Sequence, residues 1–348
     1  MEITICKLQE HNKKEALKIA RKSFGVIESL SIRKPKQGFV AVIGDKAVGG
    51  VFFSTKHSGA KKFGVISFLF TAPQFEGHGI AGKLLDACIA TLWADGCDGL
   101  VSYVQDDNVG SWVTFEKRGF AKTTLLKSAG AFGTVTALKI QILYLETFVF
   151  CVGADFYIAL PDQEKTKKYA RNDISIIQIL LFILLNLLFL TLVIVRAYNP
   201  GMAVLSITSL FAGLSVVGLI GTWFTGRKWR FRLTQGGFIL APLLGLFAFY
   251  PMIGNWYPMK YENTPKFRRD LAFNSILTWL FLFGVVISVR FTGNLVLAGM
   301  GQIAVLFLVF RCIPIVPFSS YGSGRVYEWN KVVFALFAIV SLLFVFVL

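Results

Sequence analysis

The sequence changes character near residue 173. Beyond that point six long apolar runs follow one another: Ile174–Val195, Gly201–Trp223, Gly236–Ile253, Leu271–Val289, Asn294–Phe310 and Val332–Leu348. About 20 apolar residues suffice to cross a bilayer. This half holds only three acids, Glu262, Asp270 and Glu328, against 13 Lys and Arg. The bases lie between the runs, as in membrane segments joined by cytoplasmic loops. Residues 1–173 hold 23 Lys and Arg against 17 Asp and Glu, an ordinary soluble balance. The sequence therefore predicts a cytosolic α/β domain over 1–160, a charged linker over 161–173 and an all-α multi-pass transmembrane domain over 174–348.

The net charge of +16 does not point to nucleic acid, because the excess bases flank apolar runs. The five cysteines (Cys6, Cys88, Cys97, Cys151, Cys312) form no CxxC pair, and the three histidines (His11, His57, His78) all lie in the first half. No metal site or disulfide framework is expected from them. The first 20 residues hold no uninterrupted apolar stretch of the secretory kind, which predicts a cytosolic first half.

Along the first half, apolar periodicity predicts alternating strands and helices. Strands are expected at residues 1–8, Gly38–Ile43, Ala47–Thr55, Phe63–Thr71, Gly99–Val104, Ala121–Lys127 and Phe148–Leu160. Helices are expected at Asn12–Phe24, Gly79–Trp93 and Val109–Arg118. Pro161–Asp173 reads as a polar linker. In the second half the base clusters set the orientation. Lys165, Lys167, Lys168 and Arg171 hold the start of the first run in the cytosol. Arg227–Arg232 and Lys260–Arg269 belong to the same side, which makes Gly236–Ile253 a re-entrant segment rather than a span. Five spans of a cell membrane result, with residue 348 outside.

The most specific motif is the stretch from Phe63 to Leu85: a buried strand, a glycine-rich turn, then a helix. Small residues let backbone N–H groups at a helix start approach phosphate oxygens. Gly77, Gly79, Ala81 and Gly82 are the candidates. The stretch Glu76–Ala81 with Leu84 and Leu85 resembles the acetyl-coenzyme A signature of the GNAT acyltransferases, Q/R-x-x-G-x-G/A before paired leucines. Glu76 stands where Gln or Arg is usual. Asn108 followed by Phe115–Phe120 resembles the family's second signature, with Ser111 for Ala and Phe115 for Tyr.

The resemblance implies that Phe68–Thr71, including Phe70 and Thr71, bonds the pantetheine arm of acetyl-CoA. It implies that Gly77, His78, Gly79, Ile80, Ala81, Gly82 and Lys83 hold the pyrophosphate, and that Asn108 and Phe115 line the arm. An amine of a protein N-terminus, a lysine or a small molecule would attack the thioester, with a base and an acid moving protons. Phe115 cannot serve as the family's usual tyrosine acid. The catalytic candidates left are Glu28, Tyr103 and Ser111, with Asp106 and Asp107 beside them. The missing tyrosine leaves open a second function, a sensor or scaffold that binds acetyl-CoA without turnover and grips other membrane proteins.

The second half resembles the site-2 protease family of intramembrane zinc proteases, on Gly218–Leu233, the re-entrant Gly236–Gly254, Leu271–Leu282 and Ile313–Lys331. Pro314, Pro317, Gly324 and Arg325 match that family's late segment. Val217–Gly221 lacks the two histidines and glutamate of its metal helix, and Phe318–Gly322 lacks its aspartate. The resemblance therefore implies a scaffold without its metal, and no proteolysis.

Overall fold

The computed structural model describes residues 2–24, 29, 32, 34–105, 108–141, 154–171, 174–234, 251–262, 264–314 and 318–347. The chain divides into two compact units, Met1–Asn172 and Asp173–Leu348.

The first unit is built on a seven-stranded sheet in the order β1-β2-β3-β4-β5-β7-β6. The strands are β1 (Thr4–Lys7), β2 (Gln37–Ile43), β3 (Lys46–Ser58), β4 (Lys61–Thr71), β5 (Gly99–Gln105), β6 (Ala121–Lys122) and β7 (Ala154–Ala159). All pairs are antiparallel except β4 with β5. Helix α1 (Glu10–Ser23) packs on β3 and β4, burying Ala16 and Ala20 against Val40, Phe52, Phe68 and Phe70. Helix α2 (Ile80–Ala94) packs on β2, β3 and β4 through Ile80, Leu84, Leu85, Cys88 and Leu92, which recur at helical spacing. Helix α3 (Val109–Glu116) follows β5. A second cluster joins Phe63, Val65, Val101, Phe132, Phe156 and Ile158.

Two expectations for this unit are corrected. The strand expected over Ala121–Lys127 ends at Lys122. Thr124 then caps helix α4 (Leu125–Phe132) by accepting the Lys127 N–H at 3.1 Å, and α5 (Thr134–Lys139) follows. The linker expected over Pro161–Asp173 contains helix α6 (Gln163–Lys168), whose N-cap Asp162 accepts the Glu164 N–H at 2.9 Å. The tract then docks on its own unit. Tyr169 packs on the second cluster, its carbonyl accepts the Thr123 hydroxyl at 2.7 Å, and the Arg171 N–H donates to the Lys122 carbonyl at 2.7 Å. The expected strand over Phe148–Leu160 is described only from Ala154, with residues 148–153 outside the described residues.

The second unit contains α7 (Ser175–Phe189), α8 (Thr191–Arg196), α9 (Pro200–Trp223), α10 (Pro265–Val289), α11 (Leu295–Arg311), α12 (Ser323–Trp329) and α13 (Lys331–Val347). Helices α9, α10 and α11 pack on one another. Among the described residues, α9 and α10 are long and apolar enough to cross a membrane; α7, α11 and α13 are apolar but shorter. The first run is broken at Leu190 and forms two helices in place of one.

Helix α7 is turned inside out. Ile176, Leu180, Leu184 and Leu188 form an i, i+4 stripe, each 60% exposed, while Gln178, Phe182 and Asn186 are buried. The buried amides are used. Gln178 Oε1 accepts the Leu233 N–H at 3.4 Å, and Asn186 Oδ1 accepts the Met252 N–H at 2.8 Å.

The basic tract Arg227–Arg232, expected as a loop, is largely a strand. β8 (Trp229–Leu233) pairs antiparallel with β9 (Gly254–Pro258), from Trp229↔Pro258 to Leu233↔Gly254. The pairing continues at both ends, Met259 N–H to the Lys228 carbonyl and Thr234 N–H to the Ile253 carbonyl, each at 2.9 Å. Arg227 ties the hairpin to α10, with Nε 2.7 Å from Asp270 Oδ2 and Nη1 2.7 Å from Glu262 Oε1. The guanidinium holds the Glu262 carboxyl below its ordinary range.

A buried ion pair joins the last two strands of the first unit, Lys122 Nζ to Asp155 Oδ2 at 2.5 Å. Removing one partner leaves a buried charge uncompensated, which costs about 3–5 kcal/mol. Asp155→Ala should lower stability by about that amount in denaturant unfolding, and the double variant Lys122→Met/Asp155→Leu should recover most of it.

Candidate coenzyme site

The site begins where β4 and β5 part. They pair in parallel only from Phe63↔Gly99 to Ile66↔Ser102. Beyond that step β4 runs on against β3 to Gly49↔Thr71, and β5 runs on against β7 to Gln105↔Ala154. A bulge lies at the parting, because Phe52 faces Phe68 while Phe53 faces Ile66, leaving Ser67 unmatched. Such a bulge bends its strand and raises its twist. The Ser102 hydroxyl donates to the Ile66 carbonyl at 3.0 Å and locks the last paired step. Between the parted strands, backbone groups of one strand no longer serve the other.

At the end of β4 a 3-10 turn, Pro73–Phe75, leads through Glu76–Gly79 into α2. Gly77 (φ 81) and Gly79 (φ 74) are both left-handed, a conformation that a Cβ disfavours. Gly79 is the N-cap of α2 and no side chain caps the helix there. The helical ladder starts with the Lys83 N–H donating to the Gly79 carbonyl at 3.2 Å. The amides of Ile80, Ala81 and Gly82 precede it and point out of the helix start, where the helix dipole favours an anion. A Cβ on Gly79 would meet nothing within 4 Å, so the space before the turn is open. Lys83 is exposed on this turn. The Nδ1 of His78 lies 3.0 Å from the Glu76 carbonyl and 3.2 Å from that of Phe75, which makes it the donor.

Other expected residues divide into those at the opening and those elsewhere. Thr71 is at the opening, and its Oγ1 is buried without a hydrogen-bond partner. Tyr103 stands one residue past the last paired step, half-buried, its ring 5.3 Å from that of Phe156. Asn108 caps α3, its Oδ1 accepting the Ser111 N–H at 3.0 Å. Phe70 and Phe115 are core side chains. Phe70 packs on Phe52 and Phe24, so only its backbone is available to a ligand. Phe115 is 2% exposed and packs edge-on against Phe120. Glu28, Asp106 and Asp107 lie outside the described residues.

Gly82 serves a purpose the sequence did not reveal. A Cβ there would come 2.6 Å from Nη2 of Arg118. That guanidinium lies on the first turn of α2, gripped by Asp86 through Nε–Oδ1 at 2.6 Å and Nη2–Oδ2 at 2.9 Å. Gly82 thus makes room for a clamp between α2 and the end of α3. No local pattern signals it, since Asp86 and Arg118 are 32 residues apart. Burial pushes the Cys88 and Cys97 thiols up, so neither is a thiolate nucleophile at neutral pH.

In the second unit, Gly218 of Val217–Gly221 and Tyr321 of Phe318–Gly322 line one small cavity. Among the described residues no three His, Cys, Asp or Glu side chains cluster as metal ligands would. Pro317 lies outside the described residues.

Residues 7–120 match the model of the acetyltransferase (GNAT) family. The first unit carries a GNAT acetyltransferase domain. Among solved structures, one chain of the NatC complex bound to Gag peptide and CoA is similar at 17% identity and TM-score 0.35, over 47% of this chain and 100% of that one. Arabidopsis thaliana Naa50, in complex with a bisubstrate analogue, is similar at 16% identity and TM-score 0.31, over 35% and 85%. The ribosomal-protein-S18-alanine N-acetyltransferase from Escherichia coli is similar at 18% identity and TM-score 0.30, over 35% and 80%. A search of the curated proteins finds no match.

Gly79 offers a direct test of the cradle. Gly79→Glu should weaken coenzyme A binding at least tenfold in calorimetry, because a carboxylate would occupy the open space before the α2 amides. Gly79→Ala controls for the strain of a left-handed Cβ, about 1–2 kcal/mol of stability, and should bind within a few-fold of the parent.

Proposed function

We propose that the first unit is an N-acyltransferase that binds acetyl-CoA in the opening between β4 and β5 and transfers the acetyl group to an amine. The parting of the two strands beside an uncapped helix start carries this reading. The backbone of Phe68–Thr71 bonds the pantetheine arm as a surrogate strand. The amides of Ile80, Ala81 and Gly82, with Lys83 nearby, neutralise the pyrophosphate. The orphaned Thr71 hydroxyl fits a polar ligand at the mouth of the opening.

The reaction follows from holding the thioester there. A neutral amine attacks the thioester carbonyl, the tetrahedral adduct gives up the amine proton to water and collapses, and the coenzyme leaves as a thiolate that takes up a proton. Bringing amine and thioester together supplies a large part of the acceleration. Tyr103, beside the parting of the strands, is the proton donor we assign to the thiolate. To Ser111, whose backbone N–H is held by Asn108, we assign the orientation of the acceptor. Phenylalanine at 115, where the family's usual acid is a tyrosine, supports a second reading, a sensor or scaffold that binds acetyl-CoA without turnover.

The second unit is proposed to anchor this domain in a bilayer as a multi-pass, protease-like scaffold, with lipid and other membrane proteins or peptide amines as partners. The exposed leucine stripe opposite buried Gln178 and Asn186 supports it, since water would favour the reverse arrangement. The hairpin supports one side for both basic tracts. Thr234 pairs with Ile253, so the two tracts are held side by side; residues 235–250 of the expected re-entrant segment lie outside the described residues.

Two measurements test these assignments. The purified chain should release coenzyme A thiol from acetyl-CoA when offered a mixture of peptide and small amines. Tyr103→Phe should lower kcat by about a hundredfold or more with KM for acetyl-CoA little changed, the size of a general-acid contribution; an unchanged kcat removes Tyr103 from that role. For topology, single cysteines at Tyr198 and Thr292 should react with an impermeant reagent from outside intact cells, and cysteines at Lys228 and Lys260 should not. Outside labelling at Lys260 alone would mean that the chain crosses between the two tracts.

A further inference from the structure

Helices α9, α10 and α11 enclose a cavity with the β9 strand and Tyr321, lined among others by Gly218, Asn255, Asn274, Thr278 and Arg311. Its volume of about 30 Å³ has room for about two waters at roughly 10–15 Å³ each. Asn255, Asn274, Thr278, Arg311 and Tyr321 make part of its wall polar, yet no lining residue is acidic.

Arg311 is 4% exposed. Its Nη2 donates to Thr278 Oγ1 at 3.0 Å and its Nη1 to the Ser275 carbonyl at 3.3 Å. Its guanidinium lies 5.7 Å from the centre of the Trp279 ring. Its Nε is buried with no partner. None of these contacts carries negative charge. The carboxylate one turn beyond Asn274 on α10, Asp270, is taken by Arg227, as is Glu262. The other buried guanidinium of this unit near enough to matter, Arg325, repels Arg311.

A buried charge is costly unless something of opposite sign sits against it. Here the donors are fixed, the neighbouring charge is positive and a hole lies beside the guanidinium. A cation would be expelled by the same field. We propose that this cavity is a binding site for a small monovalent anion of halide size, with chloride the occupant that the medium supplies, held by the Arg311 Nε–H. The anion completes the charge balance of the three-helix core. Organic anions such as gluconate are too large for the space.

The test uses the full chain purified in detergent in gluconate, then titrated with chloride or bromide at constant ionic strength. The thermal midpoint of the parent should rise saturably with halide, since a ligand that binds only the folded state stabilises it. Arg311→Gln should abolish the halide-dependent rise, and Arg196→Gln, an exposed control, should keep it. A rise equal in all three proteins, or none in the parent, overturns the proposal. If Arg311→Gln does not fold, crystals of the parent grown in bromide decide the matter. An anomalous peak within hydrogen-bonding reach of Arg311 Nε supports the site, and ordered water there without bromide overturns it.

Discussion

The first unit depends on a single event in its sheet, the separation of β4 from β5 after Ile66↔Ser102. A continuous sheet would satisfy every backbone group at this point and leave no place for an extended ligand. The bulge at Ser67 bends β4 away, and the Ser102 hydroxyl secures the last shared step. The same divergence aims β4 into the turn that opens α2, so the free strand edge and the free helix amides arise from one geometric cause. Core packing holds it open: Phe70 is locked among Phe24 and Phe52, and Tyr103 leans on Phe156.

The second unit follows a different rule. Several of its polar side chains are inside and serve backbone groups. Asn274 donates to the Gly218 carbonyl at 2.6 Å, the Trp256 indole to the Ser215 carbonyl at 2.9 Å, and the Tyr321 hydroxyl to the Pro251 carbonyl at 3.0 Å. Each bond joins segments far apart in sequence. With apolar side chains on the outside as well as within, burial of grease discriminates poorly between helix arrangements, and directional bonds such as these select one.

Much of the first unit was legible because its signals are local. Helix α2 shows its buried face at helical spacing, and the glycines before it announce a turn. The residues after Phe120 were misread because Thr124 acts as a cap, which a β-rich stretch such as Ala121–Lys127 conceals. The charged tract after Pro161 looked like a linker by composition, yet backbone bonds through Arg171 and the ring of Tyr169 hold it in place. In the second unit the β8 strand was hidden among bases, since alternate arginines in Trp229–Leu233 read as a loop when charge is weighed before periodicity. The Arg118 clamp and the Arg311 cavity were beyond reach for another reason: both rest on contacts between residues tens of positions apart.

That docked tract has a consequence at the border of the sheet. β6 is its last strand and only two residues long. An outermost strand ordinarily presents spare carbonyls and amides, which invite a strand from another molecule. Here the Lys122 carbonyl is already taken by the Arg171 N–H, and the Lys122 side chain turns inward to Asp155. The returning tract acts as a stopper on the sheet's growth, so this border is protected from edge-to-edge aggregation by the chain's own continuation.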